Sequence, residues 1–254
     1  MYHFVDDKEF LKRVQESCVT DLNQLTKLLL EEGISSQFIL VGSGARNMVT
    51  QNENGDIDLD YNLVIQKCAN INDCRAIKET VRKALNKIMN EQGLRDVQDS
   101  TSSLTTEKLH FNDCPKIQFS MDVCIVAKGN DGSWHRLIHE KTGISYMDRY
   151  YWNEALNSAD VSRKAYNLKA NNLLLEVREC YKDKKNLYLR QNDHNHPSFI
   201  CYIEAVNEVY GRYNRNFQSL GMPSRRSPYM ASCRSMPASS QSIRPRPSSA
   251  LSFL

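Results

Sequence analysis

Three aspartates alternate along one short segment of the chain, Asp56, Asp58 and Asp60 in Asp-Ile-Asp-Leu-Asp-Tyr-Asn-Leu-Val-Ile. Side chains alternate between the two faces of a β-strand, so we expect the three carboxylates on one face and the apolar residues from Ile57 to Ile65 on the other. Like charges on one strand face repel each other unless a cation lies beside them. Because Mg²⁺ and Mn²⁺ prefer carboxylate oxygens, this segment indicates a divalent-metal site.

A further aspartate, Asp122, lies in a second alternating segment. The odd-numbered residues from Ile117 to Ile125 form an apolar face there, and Asp122 projects from the more polar face. If the two strands are neighbours in one sheet, Asp122 faces Asp56 and Asp58. Three carboxylates in that arrangement could hold two metal ions, which align an attacking hydroxyl with a triphosphate and stabilise the leaving pyrophosphate.

A glycine-containing turn supplies a candidate phosphate site. Gly42 and Ser43 follow the apolar residues 38–41 and precede a short helix predicted near residues 45–49. Glycine allows a ligand to approach the backbone closely, and amides at the start of a helix can bind an anion. The Ser43 hydroxyl can donate to a phosphate oxygen, and Arg46 adds a positive charge nearby.

The order of these motifs resembles the DNA polymerase β-type nucleotidyltransferase superfamily. The resemblance rests on an apolar strand ending in Gly42-Ser43, then Asp56-Ile57-Asp58 on a strand, then a lone Asp122 on a later strand, and it covers roughly residues 35–126. It implies an α+β fold, with a nucleotidyltransferase-type mixed sheet and flanking helices, followed by a helical domain. It also implies transfer of a nucleoside monophosphate from a nucleoside triphosphate to a hydroxyl, with release of pyrophosphate.

The resemblance also implies roles for single residues. Asp56 and Asp58 would ligate both metal ions, with Mg²⁺ or Mn²⁺ as the cofactor and ATP as the expected triphosphate. Asp122 would help to bind the catalytic metal and would act as, or position, the base for the acceptor hydroxyl. Asp60 shares the face of Asp56 and Asp58, but the pattern gives it no fixed role.

The acceptor is left open by the sequence. The chain has a net charge of +3, but residues 217–254 contain five arginines and no acid, which leaves about −2 for residues 1–216. The folded part is therefore not basic, and a small molecule such as an antibiotic, or a nucleotide, is favoured over a long nucleic acid. An RNA-modifying or tRNA-modifying toxin, and a catalytically inactive module that binds a nucleotide or a partner protein, remain as alternatives.

The elements that must position these residues follow from the hydrophobic pattern. Apolar residues at helical spacing, each time followed by glycine, predict helices over 7–32 and 73–92. Apolar segments predict strands over 38–41, 56–65 and 117–126. Beyond Trp134 the pattern predicts helices at 148–158, 161–191 and 197–214.

Three parts of the chain are predicted from these elements. Residues 1–130 form the catalytic domain, with the first helix packed on it, and residues 131–216 form a helical domain that binds substrate or nucleotide. Residues 217–254 are rich in serine, proline and arginine, and we expect them to be disordered because they contain too few apolar residues to form a core.

Candidate nucleotide ligands also lie on the predicted helix 161–191. In helical domains of the superfamily a lysine commonly reaches the triphosphate and an aromatic ring stacks on the base. Lys184 or Lys185, with Tyr188 one turn later, would suit these roles, although a solvated basic face with core tyrosines explains them equally well. The pair His135 and His139 lacks the other residues of a zinc site, so we interpret it as surface or capping residues.

Cysteine usage and hydropathy indicate the cellular compartment. Eight cysteines are scattered without a close pair, which is typical of reduced thiols in a cytoplasm. No apolar run approaches the roughly 20 residues that a membrane-spanning helix needs. We expect a cytoplasmic protein that does not enter a membrane, and the sequence does not indicate its oligomeric state.

Overall fold

The computed structural model of the protein describes residues 1–53, 55–155, 158–193 and 196–219. In chain order the first elements are β1 (Tyr2–Phe4), α1 (Lys8–Glu31), β2 (Ser35–Leu40), α2 (Gly42–Ala45), β3 (Thr50–Asn52), β4 (Ile57–Lys67) and α3 (Cys74–Glu91). They are followed by β5 (Gln98–Asp99), β6 (Leu104–Thr105), β7 (Leu109–Phe111), β8 (Cys114–Lys128), β9 (Trp134–Glu140) and β10 (Arg149–Glu154). The last elements are α4 (Ala159–Ala170), α5 (Leu174–Arg190) and α6 (Ser198–Ser219).

A mixed sheet forms the centre of the fold, with the strand order β10-β9-β8-β4-β2. The strands β4 and β8 are parallel neighbours, whereas β2, β9 and β10 pair antiparallel with the strands beside them. The short strands β6 and β7 pair with β8, and β5 pairs with β6. The two strands that carry the aspartates are therefore adjacent, as the candidate site requires.

Strand alternation decides which face of the sheet is buried. In β4 the residues Ile57, Leu59, Tyr61 and Leu63 are fully buried or nearly so, and the odd-numbered residues of β8 from Phe119 onward are buried with them. The helices α1 and α3 cover this face with their own apolar stripes. Burial of apolar surface is the main favourable term in folding, so this face fixes the register and leaves the aspartates on the opposite face.

The prediction that the chain is helical directly beyond Trp134 is wrong. Residues 134–140 form β9, and the helix predicted at 148–158 is replaced by the strand β10. Leu137 and His139 are buried and alternate with partly exposed residues, which is the pattern of a strand. The aromatic run Tyr150–Trp152 also has a high strand propensity.

The helical part of the chain begins at Ala159 and has its own core. The single helix predicted at 161–191 is divided into α4 and α5 by a turn in which Asn172 has a positive φ of 60°, a conformation that asparagine tolerates. The three helices enclose a second apolar cluster, formed by Met48, Leu168, Val177, Cys180, Tyr181, Cys201, Ala205, Val206 and Val209. Met48 comes from the turn after α2, so this cluster also packs against the sheet half. Assignment of residues 131–216 to a nucleotide-binding domain stays a prediction.

The serine-rich and arginine-rich tail falls mostly outside the described residues. The helix α6 continues to Ser219, so the first three residues of the predicted tail 217–254 are helical. Residues 220–254 lie beyond the part of the chain that the structure describes. Within the described part, no helix combines the length and the apolar character needed to cross a membrane.

Candidate active site

The register of β4 and β8 brings the aspartates together on one face of the sheet. Asp60 lies opposite Asp122, and Asp58 lies opposite Ser120. Asp122 is thus directly beside Asp60 and diagonal to Asp58. Asp56 comes just before the first residue of β4, at the edge of this group. The structure therefore brings together the carboxylates that the sequence pattern singled out, with Asp60 as an additional member.

These carboxylates act on each other electrostatically. Burial, together with the nearby charges of Asp122 and Asp58, raises the pKa of Asp60 to about 6, although the charges of Arg136 and Arg46 oppose the change. Burial also raises the pKa of Asp122, with a smaller contribution from the charge of Asp58. The group therefore holds more negative charge than its surroundings neutralise, and a divalent cation would relieve it.

Hydroxyl groups fix the orientation of two of the carboxylates. The Ser120 hydroxyl donates to Oδ1 of Asp58 from the neighbouring strand. The Thr105 hydroxyl, on the short strand β6, donates to Oδ1 of Asp122, and this hydrogen bond partly offsets the effect of burial on the pKa of Asp122.

An ammonium group already contacts the remaining carboxylate. Lys108, in the loop between β6 and β7, forms an ion pair with Oδ2 of Asp56. The hydrogen bond and the charge of Asp56 raise the pKa of Lys108, and the charge of Asp58 contributes as well. A cation therefore stands beside the first aspartate of the motif, where the pattern predicted a metal ion.

The turn at Gly42 is built around Asp60. Gly42 has a positive φ of 65°, and a Cβ atom at this position would overlap Oδ2 of Asp60. The amide of Val41 donates to the carbonyl of Asp60 at 2.8 Å. Arg46 returns to the same turn, since its Nη1 donates to the carbonyl of Gly42 at 2.7 Å and its guanidinium lies 4.3 Å from the ring centroid of Tyr202. Only glycine allows the turn and the carboxylate to lie this close together.

Ser43 lies inside the short helix rather than before it. The helix predicted near residues 45–49 begins earlier, at Gly42, and ends at Ala45. The carbonyl of Ser43 accepts hydrogen bonds from the amides of Arg46 at 3.2 Å and Met48 at 2.9 Å, which closes the turn. Gly42, Ser43 and Arg46 therefore share one compact turn beside Asp60.

Lys185 is the predicted helical ligand that the structure brings near the carboxylates. Its Nζ donates to Oγ1 of Thr50 at 2.9 Å and lies 4.1 Å from the ring centroid of Tyr2. Burial lowers the pKa of Lys185, while the charges of Asp58 and Asp60 oppose that change. The ammonium is thus within electrostatic reach of the aspartates and is only partly neutralised by them.

The neighbouring residue Lys184 is not brought to the site. Successive residues on an α-helix are separated by about 100° around its axis. Lys184 accordingly points toward α6, where its Nζ lies 2.9 Å from Oε2 of Glu208. The two lysines therefore point in different directions, and the geometry favours Lys185 over Lys184 as a ligand of an anionic substrate.

Tyr188 lines a small recess next to Lys185. Its hydroxyl donates to Oε1 of Glu204 at 2.7 Å, and its ring stacks on His196 with the centroids 3.5 Å apart. Tyr2 and Cys201 complete the recess with Lys185. The face of the Tyr188 ring that was predicted to stack on a base is already in contact with His196 on one side.

Sequence reasoning missed Thr105, Lys108 and Arg136. Arg136 lies on β9 opposite Val126, hence on the same face as the aspartates, and its charge lowers the pKa of Asp60. Arg136 could have been found from the alternation of Trp134–Glu140, had that segment been interpreted as a strand. Thr105 lies on the two-residue strand β6 and Lys108 lies in the loop after it, and neither shows a comparable signal.

The donor atoms of the site suit the Mg²⁺ or Mn²⁺ ion predicted from the sequence, but they are not already arranged around an ion. Carboxylate oxygens are suitable ligands for Mg²⁺ or Mn²⁺, and the Lys108 ammonium shows that the position beside Asp56 accepts a cation. Within the described residues, however, no group of three or more His, Cys, Asp or Glu side chains is arranged to hold an ion. Metal binding would require these side chains to converge.

His135 and His139, the histidines considered as metal ligands, both lie on the strand β9. His139 lies on β9, not on a helix, and its two ring nitrogens lie 2.8 Å from Asp99 and 3.0 Å from Asp148. Asp99 also pairs with Lys78, whose side chain is only 2% exposed, at 2.7 Å. His139 is thus part of a buried ion cluster, and His135 lies four residues before it on the same strand rather than one helical turn away.

Comparison with known proteins supports the architecture. No protein-family model and no curated protein sequence matches this chain. Among solved structures, Escherichia coli MS115-1 CdnC in its complex with HORMA-deltaN matches with a TM-score of 0.50 and 16% identity, over 79% of this chain and 60% of that chain. Vibrio cholerae DncV with GTP bound matches with a TM-score of 0.49 and 16% identity, over 74% of this chain and 47% of that chain. Rhodothermus marinus CdnE c-UMP-AMP synthase with Apcpp and Upnpp matches with a TM-score of 0.48 and 15% identity, over 78% and 69%.

At these identities the likeness shows the fold alone. It confirms the predicted α+β architecture of the nucleotidyltransferase type, with a mixed sheet, flanking helices and a helical part that follows. The chain spans about half of the DncV structure and three-fifths of the CdnC structure.

Proposed function

We propose that this protein is a metal-dependent nucleotidyltransferase, which moves a nucleoside monophosphate from a nucleoside triphosphate to a hydroxyl acceptor. The observation that carries the proposal is the pairing of Asp58 and Asp122. These carboxylates lie on adjacent parallel strands and act on each other electrostatically, and Asp60, which lies opposite Asp122, abuts the turn at Gly42. A surface with only a structural role would not concentrate like charges in this way.

The residues suit distinct parts of this reaction. Asp56, Asp58 and Asp122 would hold Mg²⁺ or Mn²⁺, which would neutralise charge on the triphosphate and on the leaving pyrophosphate. Lys185 and Arg46 lie at the margin of the carboxylate group and would bind phosphate oxygens, as cations do in other phosphoryl-transfer sites. We place Lys184 and Tyr188 outside the triphosphate contact, because both are engaged on the α6 side.

The transfer itself balances without a further reactant. The acceptor oxygen forms a bond to the α-phosphorus, the bond from that phosphorus to the bridging oxygen breaks, and pyrophosphate leaves with the bonding electrons. The proton of the acceptor hydroxyl passes to Asp122, whose pKa is already raised by burial. Asp122 has one oxygen held by Thr105, so its Oδ2 is the atom available to receive the proton.

The sheet beyond Asp122 carries side chains that would suit a small acceptor. On the same face, β9 contributes Arg136 and β10 contributes Asn153 directly opposite it. Tyr151 lies on this face as well and is 42% exposed. A cation, an amide and an exposed ring suit a small molecule or a nucleotide, with ATP as the expected donor of the transferred group.

A nucleotide-binding module without turnover is the second candidate. The observation that favours it is that the carboxylates are not gathered into a ready metal site within the described residues. Such a module would bind a triphosphate through the same cations and would not cleave it.

One experiment separates these functions. The full chain is incubated with each α-labelled nucleoside triphosphate, Mg²⁺ or Mn²⁺, and a panel of small-molecule, nucleotide and RNA acceptors, and pyrophosphate release is measured. We expect release by the wild type and a loss of at least about 100-fold in Asp58→Asn, because one transition-state ligand is removed. Asp6→Asn, which changes an exposed carboxylate, serves as the matched control.

The outcomes are distinct. Equal rates of pyrophosphate release in the wild type and Asp58→Asn under every condition would refute the proposed enzymatic activity. Triphosphate binding without pyrophosphate release would support the non-catalytic module. Transfer of label to RNA, with RNA binding that weakens steeply as the salt concentration increases, would show that the acceptor is a nucleic acid and not a small molecule.

A further inference from the structure

The chain between α3 and β8 contacts two of the candidate metal ligands. This segment, residues 98–108, contains β5 and β6 and ends in the loop before β7. Thr105 holds Asp122 through its hydroxyl, and Lys108, three residues later, pairs with Asp56. One short segment of the chain therefore contacts both Asp122 and Asp56.

The first part of this segment is fixed firmly to the fold. Lys78 donates to the carbonyl of Ser100 at 2.8 Å, and the amide of His139 donates to the carbonyl of Thr101 at 2.8 Å. Leu104 is fully buried in the main core. Thr106 exchanges two hydrogen bonds with Met121, of 3.0 and 2.9 Å. Residues 98–106 therefore form a rigid support.

The end of the segment is held less firmly. The side chain of Lys108 is 57% exposed, whereas that of Asp56 is 30% exposed. An ion pair of this kind is weak, because water competes for both partners and the long lysine side chain has many alternative rotamers. The ammonium can therefore leave Asp56 without any change in residues 98–106.

The Lys108 ammonium and a divalent cation compete for the charge of the same carboxylate. Lys108 contacts Oδ2 of Asp56, and a divalent cation bound to either oxygen of this carboxylate would lie close to the ammonium, so the two cations would repel each other.

We propose that Lys108 is a resident counter-ion of Asp56 that a divalent cation must displace, so that Lys108 lowers the affinity of the site for metal. The inference rests on the proposed function, because it takes Asp56 as a metal ligand. Lys108 is a positioning residue in this scheme: it stabilises the carboxylate group without metal and sets the metal concentration at which the site fills.

The test measures Mn²⁺ binding to the full chain by isothermal titration calorimetry, without nucleotide and at low salt. Lys108→Met removes the ammonium and keeps the length of the side chain. An exposed ion pair changes an equilibrium constant by about two- to fivefold, so we expect Mn²⁺ to bind Lys108→Met about two- to fivefold more tightly than the wild type. Lys108→Gln is a second neutral variant, and we expect Lys108→Arg to stay close to the wild type.

A matched control separates this effect from a general change of charge. Lys87 is an exposed lysine on α3, which covers the opposite face of the sheet, so Lys87→Met alters the net charge by the same amount. Its Mn²⁺ affinity should equal that of the wild type. High salt screens an exposed pair, so the advantage of Lys108→Met should shrink at 0.5 M NaCl compared with low salt.

Thermal unfolding gives a second readout that does not depend on turnover. Without metal, Lys108→Met should unfold at a lower temperature than Lys87→Met, because the carboxylates lose a counter-charge. Addition of Mn²⁺ should raise its unfolding temperature by more than that of the wild type, since binding to the folded state is tighter.

Each outcome decides the inference. Binding by Lys108→Met that is equal to or weaker than that of Lys87→Met overturns it. Absence of Mn²⁺ binding in every protein overturns both this inference and the proposed function. If Lys108→Met binds Mn²⁺ more tightly but the wild type shows no nucleotidyl transfer, the role of Lys108 as a counter-ion is supported. That result refutes only the proposed transfer reaction.

Discussion

Asp60 provides the sharpest test of the electrostatics of the site. It lies opposite Asp122, against the turn at Gly42, and burial together with the charges of Asp122 and Asp58 raises its pKa from the ordinary value of 3.8 to about 6. The perturbation is Asp60→Asn, which keeps the shape of the side chain and removes the charge. Metal is excluded with a chelator, because a bound cation would reverse the effect.

The sign of the pH dependence follows from linkage. A carboxyl group whose pKa is higher in the folded state holds its proton more tightly there than in the unfolded chain. Its contribution to stability is fully present below about pH 3.8 and is lost as the pH rises through about 6. The difference between the two pKa values corresponds to about 3 kcal/mol, at 1.36 kcal/mol for each pH unit.

The assay is urea unfolding of the wild type and Asp60→Asn at several values between pH 4 and pH 7.5. Other groups titrate in both proteins, so their contributions cancel in the difference of the two free energies of unfolding. We expect the wild type to lose about 2 to 3 kcal/mol relative to Asp60→Asn across this range, with half of the loss reached near about pH 5 and most of it by about pH 6.

Asp6→Asn is the control, because Asp6 is exposed at the surface. Its free energy of unfolding should stay parallel to that of the wild type. A difference between the wild type and Asp60→Asn that does not change with pH, or that grows in favour of the wild type as the pH rises, would refute the reasoning. In that case the aspartates would not share a crowded, poorly neutralised site.

Two further predictions test the surroundings of the site. Lys185→Met should weaken ATP binding by about tenfold or more in a calorimetric titration, because a largely buried charged donor is lost. Lys184→Met should bind ATP as the wild type does, because Lys184 is paired with Glu208 instead. Equal losses of affinity in the two variants would contradict the orientation of α5. Asp99→Asn should lower the free energy of unfolding by about 3 kcal/mol in urea, because Lys78 would stay buried without its carboxylate partner, and an unchanged midpoint would show that the cluster contributes nothing to stability.

The faces of β4 and β8 could be predicted because strand alternation is a local property. The period of two between Ile57 and Ile65 determines which side chains are buried, whatever the neighbouring strands are. The parallel pairing of these strands is also constrained, because α3 lies between them along the chain and parallel strands require such a crossover. The opposition of Asp60 and Asp122 is a matter of register, which no local pattern specifies.

The orientation of neighbouring residues on α5 could not be predicted from composition. Lys184 and Lys185 have the same chemistry, and only the rotation of the helix against α6 and β1 decides that one meets Glu208 and the other meets Tyr2. That rotation depends on a cluster in which Met48, from the sheet half, packs against the helices. The sequence therefore indicated that a lysine is available and left its identity open.

The segment beyond Trp134 was misjudged because its signals conflict. The strand β9 has only one fully apolar buried residue, Leu137, and its other buried residue, His139, is held by carboxylates that lie far away in sequence or in the next loop. A hydrophobic pattern counts such a histidine as polar, so the alternation is hidden. With β9 missed, the position of Arg136 on the face of the aspartates was missed with it.

The cations around the aspartates come from four separate parts of the chain. Lys108 precedes β7, Arg46 follows α2, Arg136 lies on β9, and Lys185 lies on α5. Because no two of them share an element, the charge balance of the site exists only in the folded protein and responds to each of them independently. A triphosphate with its metal brings both a cation for the aspartates and anions for the arginines and Lys185. Of these four cations, Lys108 is the one whose ion pair with a candidate metal ligand the described residues show, so under our proposal it is the cation that a bound metal would displace.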